Sequence, residues 1–313
     1  MIPTKEQLLA ARERIAPYIH QTPIFRSSTI DAMTGAKVLF KSEQLQRMGA
    51  FKMRGATNAI LSLSDAQRAK GVVTHSSGNF GQAVALAARS LGVRAHIVMP
   101  DSATSVKRNA VAGYGGQIQL CASTLKAREA ATAAIVAQTG ATALHPSNAL
   151  EVIIGNATAA MELLTEQPAT DILIAPVGGG GLIAGTALAA HHFAEDCITI
   201  GAEPEAVDDA YRSLQSGRIE TNQTTDTIAD GLRTHLGDQN FPIIQKLVAQ
   251  IIRVNEAEII EAMRLLWERC KLVVEPSSAV ALAAVLKQPE TFRGKTVGLI
   301  LSGGNVDLSK LPF

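Results

Sequence analysis

Three kinds of residue in this 313-residue chain could do chemistry: a lysine set among apolar neighbours, glycine-rich turns that end apolar runs, and hydroxyl or amide side chains beside those turns. The lysine is Lys52, inside Met48-Gly49-Ala50-Phe51-Lys52-Met53-Arg54-Gly55-Ala56. It stands between two large apolar residues, where a glycine turn passes into an amphipathic segment at 57–63. That context places it in the first turn of a helix, facing inward. Desolvation disfavours a charged ammonium, and the positive end of a helix dipole adds to the effect, so both push the amine towards its neutral, nucleophilic form. Such an amine is what imine chemistry requires. The plainer alternative packs the aliphatic stem and lets the ammonium reach water or pair with Glu43.

The second feature is Gly178-Gly179-Gly180-Gly181, between an apolar run at 172–177 and a helical pattern at 182–193. Consecutive glycines leave backbone N–H groups free to approach an anion, with the helix dipole behind them. No Lys-Ser/Thr pair follows, so this is not a P-loop. The dinucleotide fingerprint fits loosely: Gly179, Gly181 and Ala184 fall at its positions, and Glu203 follows about 20 residues on, where a ribose-binding acid would sit. That reading makes the chain an NAD-dependent oxidoreductase. A structural alternative keeps the glycines only for close helix–sheet packing. The dinucleotide reading leaves Lys52 unexplained, and also the loops Ser76-Ser77-Gly78-Asn79 and Ser302-Gly303-Gly304-Asn305. Pyridoxal phosphate accounts for all four features: an imine-forming lysine, an anion cradle, a partner for a ring nitrogen and a carboxylate-binding loop.

The elements that must position these residues follow from periodicity. A helix is expected over 4–18, capped by Thr4, with Glu6 in its first turn and Leu8, Leu9, Ala11 and Ile15 at helical spacing. Strands are expected at 38–41, 72–74, 96–99, 117–120, 172–177, 198–202 and 296–302, alternating with helical stretches. Such alternation means an α/β chain with mostly parallel sheets covered on both faces. Ligands in such sheets bind outside the carboxyl ends of the strands, where the three glycine-rich loops lie. Composition breaks near 65–71 and 146–148 bracket a small lobe, 71–148, inserted into a larger one made of 1–70 and 149–313. The weakly periodic segment 226–241 reads as a long loop near the site.

Bulk composition excludes several classes. With 47% hydrophobic residues and 18% charged, the chain can bury a sizeable core. Lys plus Arg number 29 against 28 Asp plus Glu, a net charge of +1, and no basic run appears, so nucleic acid is not expected as a partner. The charged N-terminus and the lack of any apolar run of roughly 18 residues argue against a signal peptide or membrane span, and a cytoplasmic protein is expected. Cys121, Cys197 and Cys270 are far apart and suit neither a disulfide framework nor a zinc site.

Five motifs occur in order: Gly49-Ala-Phe-Lys-Met-Arg-Gly-Ala56, Ser76-Ser-Gly-Asn79, Pro176-Val-Gly-Gly-Gly-Gly-Leu182, Glu275-Pro-Ser-Ser278 and Ser302-Gly-Gly-Asn-Val-Asp307. Together they resemble the serine/threonine dehydratase and serine racemase group of fold-type II pyridoxal-phosphate enzymes, and the resemblance runs from near Gln21-Thr22-Pro23 to the C-terminus. It implies a two-lobed α/β fold, similar to the tryptophan synthase β chain, with twisted, mostly parallel sheets covered by helices.

The resemblance also implies residue roles. Lys52 would hold pyridoxal 5'-phosphate covalently, Phe51 would pack on its ring and Asn79 would bond its phenolic oxygen. Gly178, Gly179, Gly180, Gly181 and Leu182 would hold its phosphate. Ser302 would face the ring nitrogen, and a neutral hydroxyl there makes the ring a weaker electron sink, which suits elimination. Ser76, Ser77, Gly78 and Asn79 would receive the substrate carboxylate, with Arg128 reaching it. Glu203, the Val207 carbonyl and Asp209 match a divalent-cation site, and hard oxygen ligands suit magnesium or calcium. The plainer alternative is a helix start with acids in its first turn.

Phe80, Ala50 and Gly155-Asn-Ala-Thr158 depart from the group's histidine, serine and Gly-Gln-Gly-Thr, and the first two border the substrate pocket. No C-terminal regulatory domain is expected. The implied activity is β-elimination of a small 3-hydroxy amino acid, serine or threonine first, giving a 2-oxo acid and ammonia. Racemisation would follow if Ser77 faced Cα opposite Lys52, and 3-hydroxyaspartate would be the substrate if Arg128 or Arg233 supplied an extra cation. A homodimer is the group's expectation. His75 and His145 read as core or surface residues within reach of the site.

Overall fold

The computed structural model describes residues 2–76 and 78–313. Among the described residues, ten strands form two sheets: β1 Ile24–Phe25, β2 Lys37–Ser42, β3 Val72–His75, β4 Ala95–Pro100, β5 Gln117–Cys121, β6 Thr142–Ala143, β7 Ile172–Pro176, β8 Ile198–Pro204, β9 Gln250–Val254 and β10 Thr296–Leu301. The larger sheet has the order β1-β2-β10-β7-β8-β9 and the smaller β5-β4-β3-β6. All neighbours are parallel except β1 and β2, where Ile24 faces Lys41 in antiparallel register.

The apolar runs explain the layering. In β7, Ile172 and Ile174 face one core, shared with the helices Glu256–Cys270 and Pro276–Lys287, while Leu173 and Ala175 face another, shared with Leu150–Glu166 and Gly181–Phe193. Successive residues of a strand point to opposite faces, so a strand buried on both sides must be apolar throughout. A third core lies on the smaller sheet and takes in Val72, Ile97 and Val84, together with Met53, Ile60 and Val152.

All seven strands read from periodicity are present, and three more join them. β1 and β6 have two residues each, too few for any period, and β9 is an edge strand with two exposed positions. The first helix is Lys5–Ile15, closed by a capping box between Thr4 and Gln7, and a 3-10 turn Ala16–Tyr18 completes the stretch. The polar stretch near 65–71 is itself a short helix, Asp65–Lys70, capped by Ser64 and Gln67. Between 226 and 241 the chain makes only one 3-10 turn, Asp230–Leu232, before the helix Phe241–Leu247. No helix is long and apolar enough to cross a membrane among the described residues.

Candidate active site

The turn before the lysine is left-handed at Met48 and Gly49, with φ of 57° and 79°. A Cβ on Gly49 would also lie 2.8 Å from Asn305 Oδ1, so both conformation and space demand glycine there. The turn is bound to the loop after β10. Phe51 N donates to Ser302 O at 3.0 Å, Gly304 N to Gly49 O at 2.9 Å, and Asn305 Nδ2 to Met48 O at 2.9 Å. Lys52 then opens the helix Lys52–Leu61, whose N-terminus has no side-chain cap.

Lys52 Nζ donates to Pro146 O at 2.8 Å and lies 4.9 and 5.6 Å from the ring centroids of Phe51 and Phe80. Burial pushes its amine down to about 8, and the nearby Glu275 carboxylate offsets part of that shift. Glu43 is not its partner, contrary to the plainer reading. It is buried against Arg54, 2.7 Å from Nε, in a network in which Glu162 also receives Arg54 and Lys41.

Glu275 is a centre that sequence reasoning left without a role. Its buried carboxylate accepts from Asn79 Nδ2 at 3.0 and 3.1 Å and from Asn305 N at 3.2 Å, and burial pushes it up to about 7. Asn305 Nδ2 donates to Asn79 Oδ1 at 2.9 Å, so the Asn79 amide is held at both ends. The signal was present in Glu275-Pro-Ser-Ser278, but its partner lies 196 residues away in sequence. Ser302 is buried, with Ser278 Oγ 3.1 Å from its own Oγ.

The helix Gly181–Phe193 begins at Gly180, with φ of 80° and no side-chain cap, and Gly178, Gly179, Gly180 and Gly181 are all buried. An uncapped, buried helix start is a place for an anion. A Cβ on Gly178 would lie 2.8 Å from Leu232 Cα, and one on Gly181 would lie 2.8 Å from Ser147 Cα. Close packing and an anion cradle therefore coexist. Asn240 Nδ2 ties the long loop down, donating to Gly179 O at 2.8 Å and Ser147 O at 3.1 Å. Leu182 is buried behind the cradle, in the core that also holds Phe51. A neutralisable buried amine, an uncapped anion cradle, an aromatic ring and a buried hydroxyl are together a chemical fit for pyridoxal phosphate.

Ser77 lies outside the described residues. Ser76 Oγ accepts from Gly78 N at 3.3 Å, and a Cβ on Gly78 would meet nothing within 4 Å, so the approach to the helix Asn79–Ser90 is open. His145 is pushed down to about 4 by burial, by His75 and by Lys52, and the His75 ring stands edge-on to it at 6.3 Å. His75 is lowered in turn by burial and by the charge of Arg128. The charge of Lys52 is thus felt at His145 and that of Arg128 at His75, and the two rings stand together between them. Arg128 Nε is buried with no hydrogen-bond partner among the described residues, whereas Arg233 spends its Nε and Nη2 on Thr227 O.

Glu203 and Asp209 are both fully buried. Glu203 accepts from Ala210 N at 3.0 Å and Tyr211 N at 2.8 Å. Asp209 accepts from Asn222 Nδ2 at 2.6 Å and Leu236 N at 3.1 Å. Burial and the Asp209 charge push Glu203 well up, and burial raises Asp209 as well. Val207 ends the 3-10 turn Glu205–Val207 beside them. Two buried carboxylates, one of which raises the other, fit a hard divalent cation in donor chemistry. No cluster of three or more His, Cys, Asp or Glu is arranged for a metal among the described residues. The dinucleotide reading fails here, because Glu203 is turned onto the N–H groups of the helix Asp209–Ser216 and is not presented to a ribose.

Comparison with known proteins agrees with the cofactor chemistry. Residues 15–303 match the pyridoxal-phosphate dependent enzyme family. The chain is 47% identical over 312 residues to a beta-hydroxyaspartate dehydratase of Paracoccus denitrificans (strain Pd 1222), covering 100% of this chain and 99% of that one. It is also 47% identical to a serine racemase of Dictyostelium discoideum, covering 98% and 96%. The structure of maize serine racemase superimposes with a TM-score of 0.96 at 44% identity, covering 99% of this chain and 95% of that one.

Proposed function

The chain belongs to the pyridoxal-phosphate dependent enzyme family, in its ammonia-lyase and racemase branch, and from that premise we propose that it is an ammonia-lyase acting on 3-hydroxyaspartate. The observation that carries the substrate is Arg128, a guanidinium whose charge reaches His75 and whose buried Nε has no hydrogen-bond partner among the described residues. A second carboxylate on the substrate supplies that partner. Serine and threonine have none to offer. The relative named as a beta-hydroxyaspartate dehydratase supports the same choice.

Bound pyridoxal phosphate would supply the electron sink that acidifies Cα and lets the 3-hydroxyl depart. Lys52 Nζ would hold the group, and its free amine would take the Cα proton. Its pKa near 8 keeps a useful fraction unprotonated at neutral pH. The Gly178–Gly181 backbone and Leu182 would receive the phosphate, Phe51 would pack against the ring, Asn79 would bond the phenolic oxygen and Ser302 would face the ring nitrogen. Ser76, Ser77 and the N–H groups at the start of the Asn79–Ser90 helix take the α-carboxylate. Water lost in the elimination is regained on hydrolysis, so the products are a 2-oxo dicarboxylic acid and ammonia. Glu203, Asp209 and the Val207 carbonyl would hold a divalent cation that braces the loop above the cradle.

Ammonia release from the threo and erythro 3-hydroxyaspartates, L-serine and L-threonine at equal concentration tests this reading. Hydroxyaspartate should be turned over fastest. Arg128→Met should raise its KM by about 10- to 100-fold, the cost of one charge-assisted hydrogen bond. Faster release from serine or threonine than from either hydroxyaspartate would sink the substrate choice. Racemisation at the same site rests on Ser77, and chiral analysis of L-serine after incubation separates it from elimination.

A further inference from the structure

We infer that His145 is the positioning residue for Lys52: its Nδ1 holds the turn at 145–148 closed and thereby aims the Pro146 carbonyl at the lysine amine. The inference rests on Lys52 being the cofactor-holding base and deepens that reading.

His145 Nδ1 accepts from Asn148 N at 2.9 Å and from Ser147 N at 3.3 Å. An acceptor at Nδ1 puts the ring proton on Nε2 and requires the neutral imidazole. The surroundings enforce that state. His75 faces the ring from β3, Lys52 from its helix and Asp238 from the long loop. Glu129, on the helix Leu125–Thr139, lines with His75 and His145 a cavity of about 430 Å³. Partial burial, His75 and Lys52 together outweigh Asp238.

The closed turn has three consequences. Pro146 O receives Lys52 Nζ, Ser147 underlies Gly179 and Gly181, and Asn148 Oδ1 accepts from Gln239 N at 2.9 Å and Asn240 N at 3.3 Å. A free lysine amine has many rotamers, and the carbonyl gives it one docking point. With one N–H donated to Pro146, the nitrogen lone pair stays available for the Cα proton.

Two substitutions separate positioning from bulk structure. His145→Asn keeps a side-chain acceptor close to the Nδ1 position, and His145→Leu removes it. Steady-state kinetics of the holoenzyme give kcat and KM. Acetylation of Lys52 by acetic anhydride across pH, in cofactor-stripped full-length protein and read by peptide mass spectrometry, gives the amine's midpoint. His145→Leu should lose about tenfold in kcat with KM changed by less than about twofold, since two backbone donors lose their acceptor. Its Lys52 midpoint should fall below the wild-type value near 8, because the ammonium has lost its carbonyl. His145→Asn should recover most of both. A folded His145→Leu protein with unchanged kcat and unchanged midpoint overturns the inference. Should that variant fail to fold, long-range ¹H–¹⁵N spectra of the wild type decide. A proton on Nε2 with bare Nδ1 at pH 7 is expected, and a proton on Nδ1 overturns it. If no 3-hydroxy amino acid is turned over, the proposed function fails by itself, while the acetylation midpoint and the tautomer still decide the place of His145.

Discussion

Burial moves two groups in this site towards each other on the pH scale, the Lys52 amine down to about 8 and the Glu275 carboxyl up to about 7. A carboxylate beside an amine favours the ammonium, so Glu275→Gln should shift the Lys52 midpoint further down, most visibly above pH 7, where Glu275 is ionised in the wild type. Acetylation of Lys52 across pH reads this directly. Stability adds an independent check. A carboxyl whose folded pKa is raised contributes stability that is full below about 4.5 and is lost as pH rises through about 7. Urea unfolding of the cofactor-stripped proteins at pH 5, 6 and 7 should therefore show wild type losing ground steadily to Glu275→Gln. An opposite trend would mean that Glu275 sits folded with its proton already off. Lys52 is legible in the sequence because an ammonium between Phe51 and Met53 breaks the apolar pattern. Glu275 and His145 are not, because their meaning lies in Asn79, Asn305 and Asn148, partners that only tertiary structure supplies.

At the scale of elements, strand and helix alternate much as periodicity requires, since β7 and β10 are buried runs and the helices Gly181–Phe193 and Pro276–Lys287 between them are buried along most of their length. What escaped reading was short or at an edge. β1 and β6 have no period to show, and β9 pays for its edge position with exposed Gln250 and Arg253. The four glycines are read correctly as a strand-to-helix turn, but not the depth to which Ser147 and the long loop press upon them. Gly181→Ala tests that contact, because its Cβ would sit 2.8 Å from both Ser147 Cα and Ser147 O, and backbone cannot step aside as a flexible side chain can. Its affinity for pyridoxal phosphate, titrated by absorbance into stripped protein, should drop by about tenfold or more, a displacement cost of about 1–3 kcal/mol. Unchanged affinity would show that the 147 turn yields freely.

Across the whole molecule, the lysine turn is anchored from below by charge as well as by the apolar cores. Arg54 is fully buried two residues after Lys52 and joins Glu43 from the β2 end to Glu162 on the Leu150–Glu166 helix, where Lys41 also arrives at 2.6 Å. Replacing Glu43 leaves Glu162 alone to balance two buried cations, Arg54 and Lys41, so Glu43→Gln should cost about 3–5 kcal/mol in urea unfolding, and a loss below about 1 kcal/mol would contradict that account. The long loop has a different reach. Its Leu236 N is held by Asp209 at 3.1 Å, and four residues later Asn240 is held on Gly179 O at 2.8 Å. Carboxylate pair and glycine cradle are thus the two ends of one short strap and share its conformational equilibrium. A cation bound at one end and a phosphate bound at the other would, by reciprocity, change each other's affinity by the same factor.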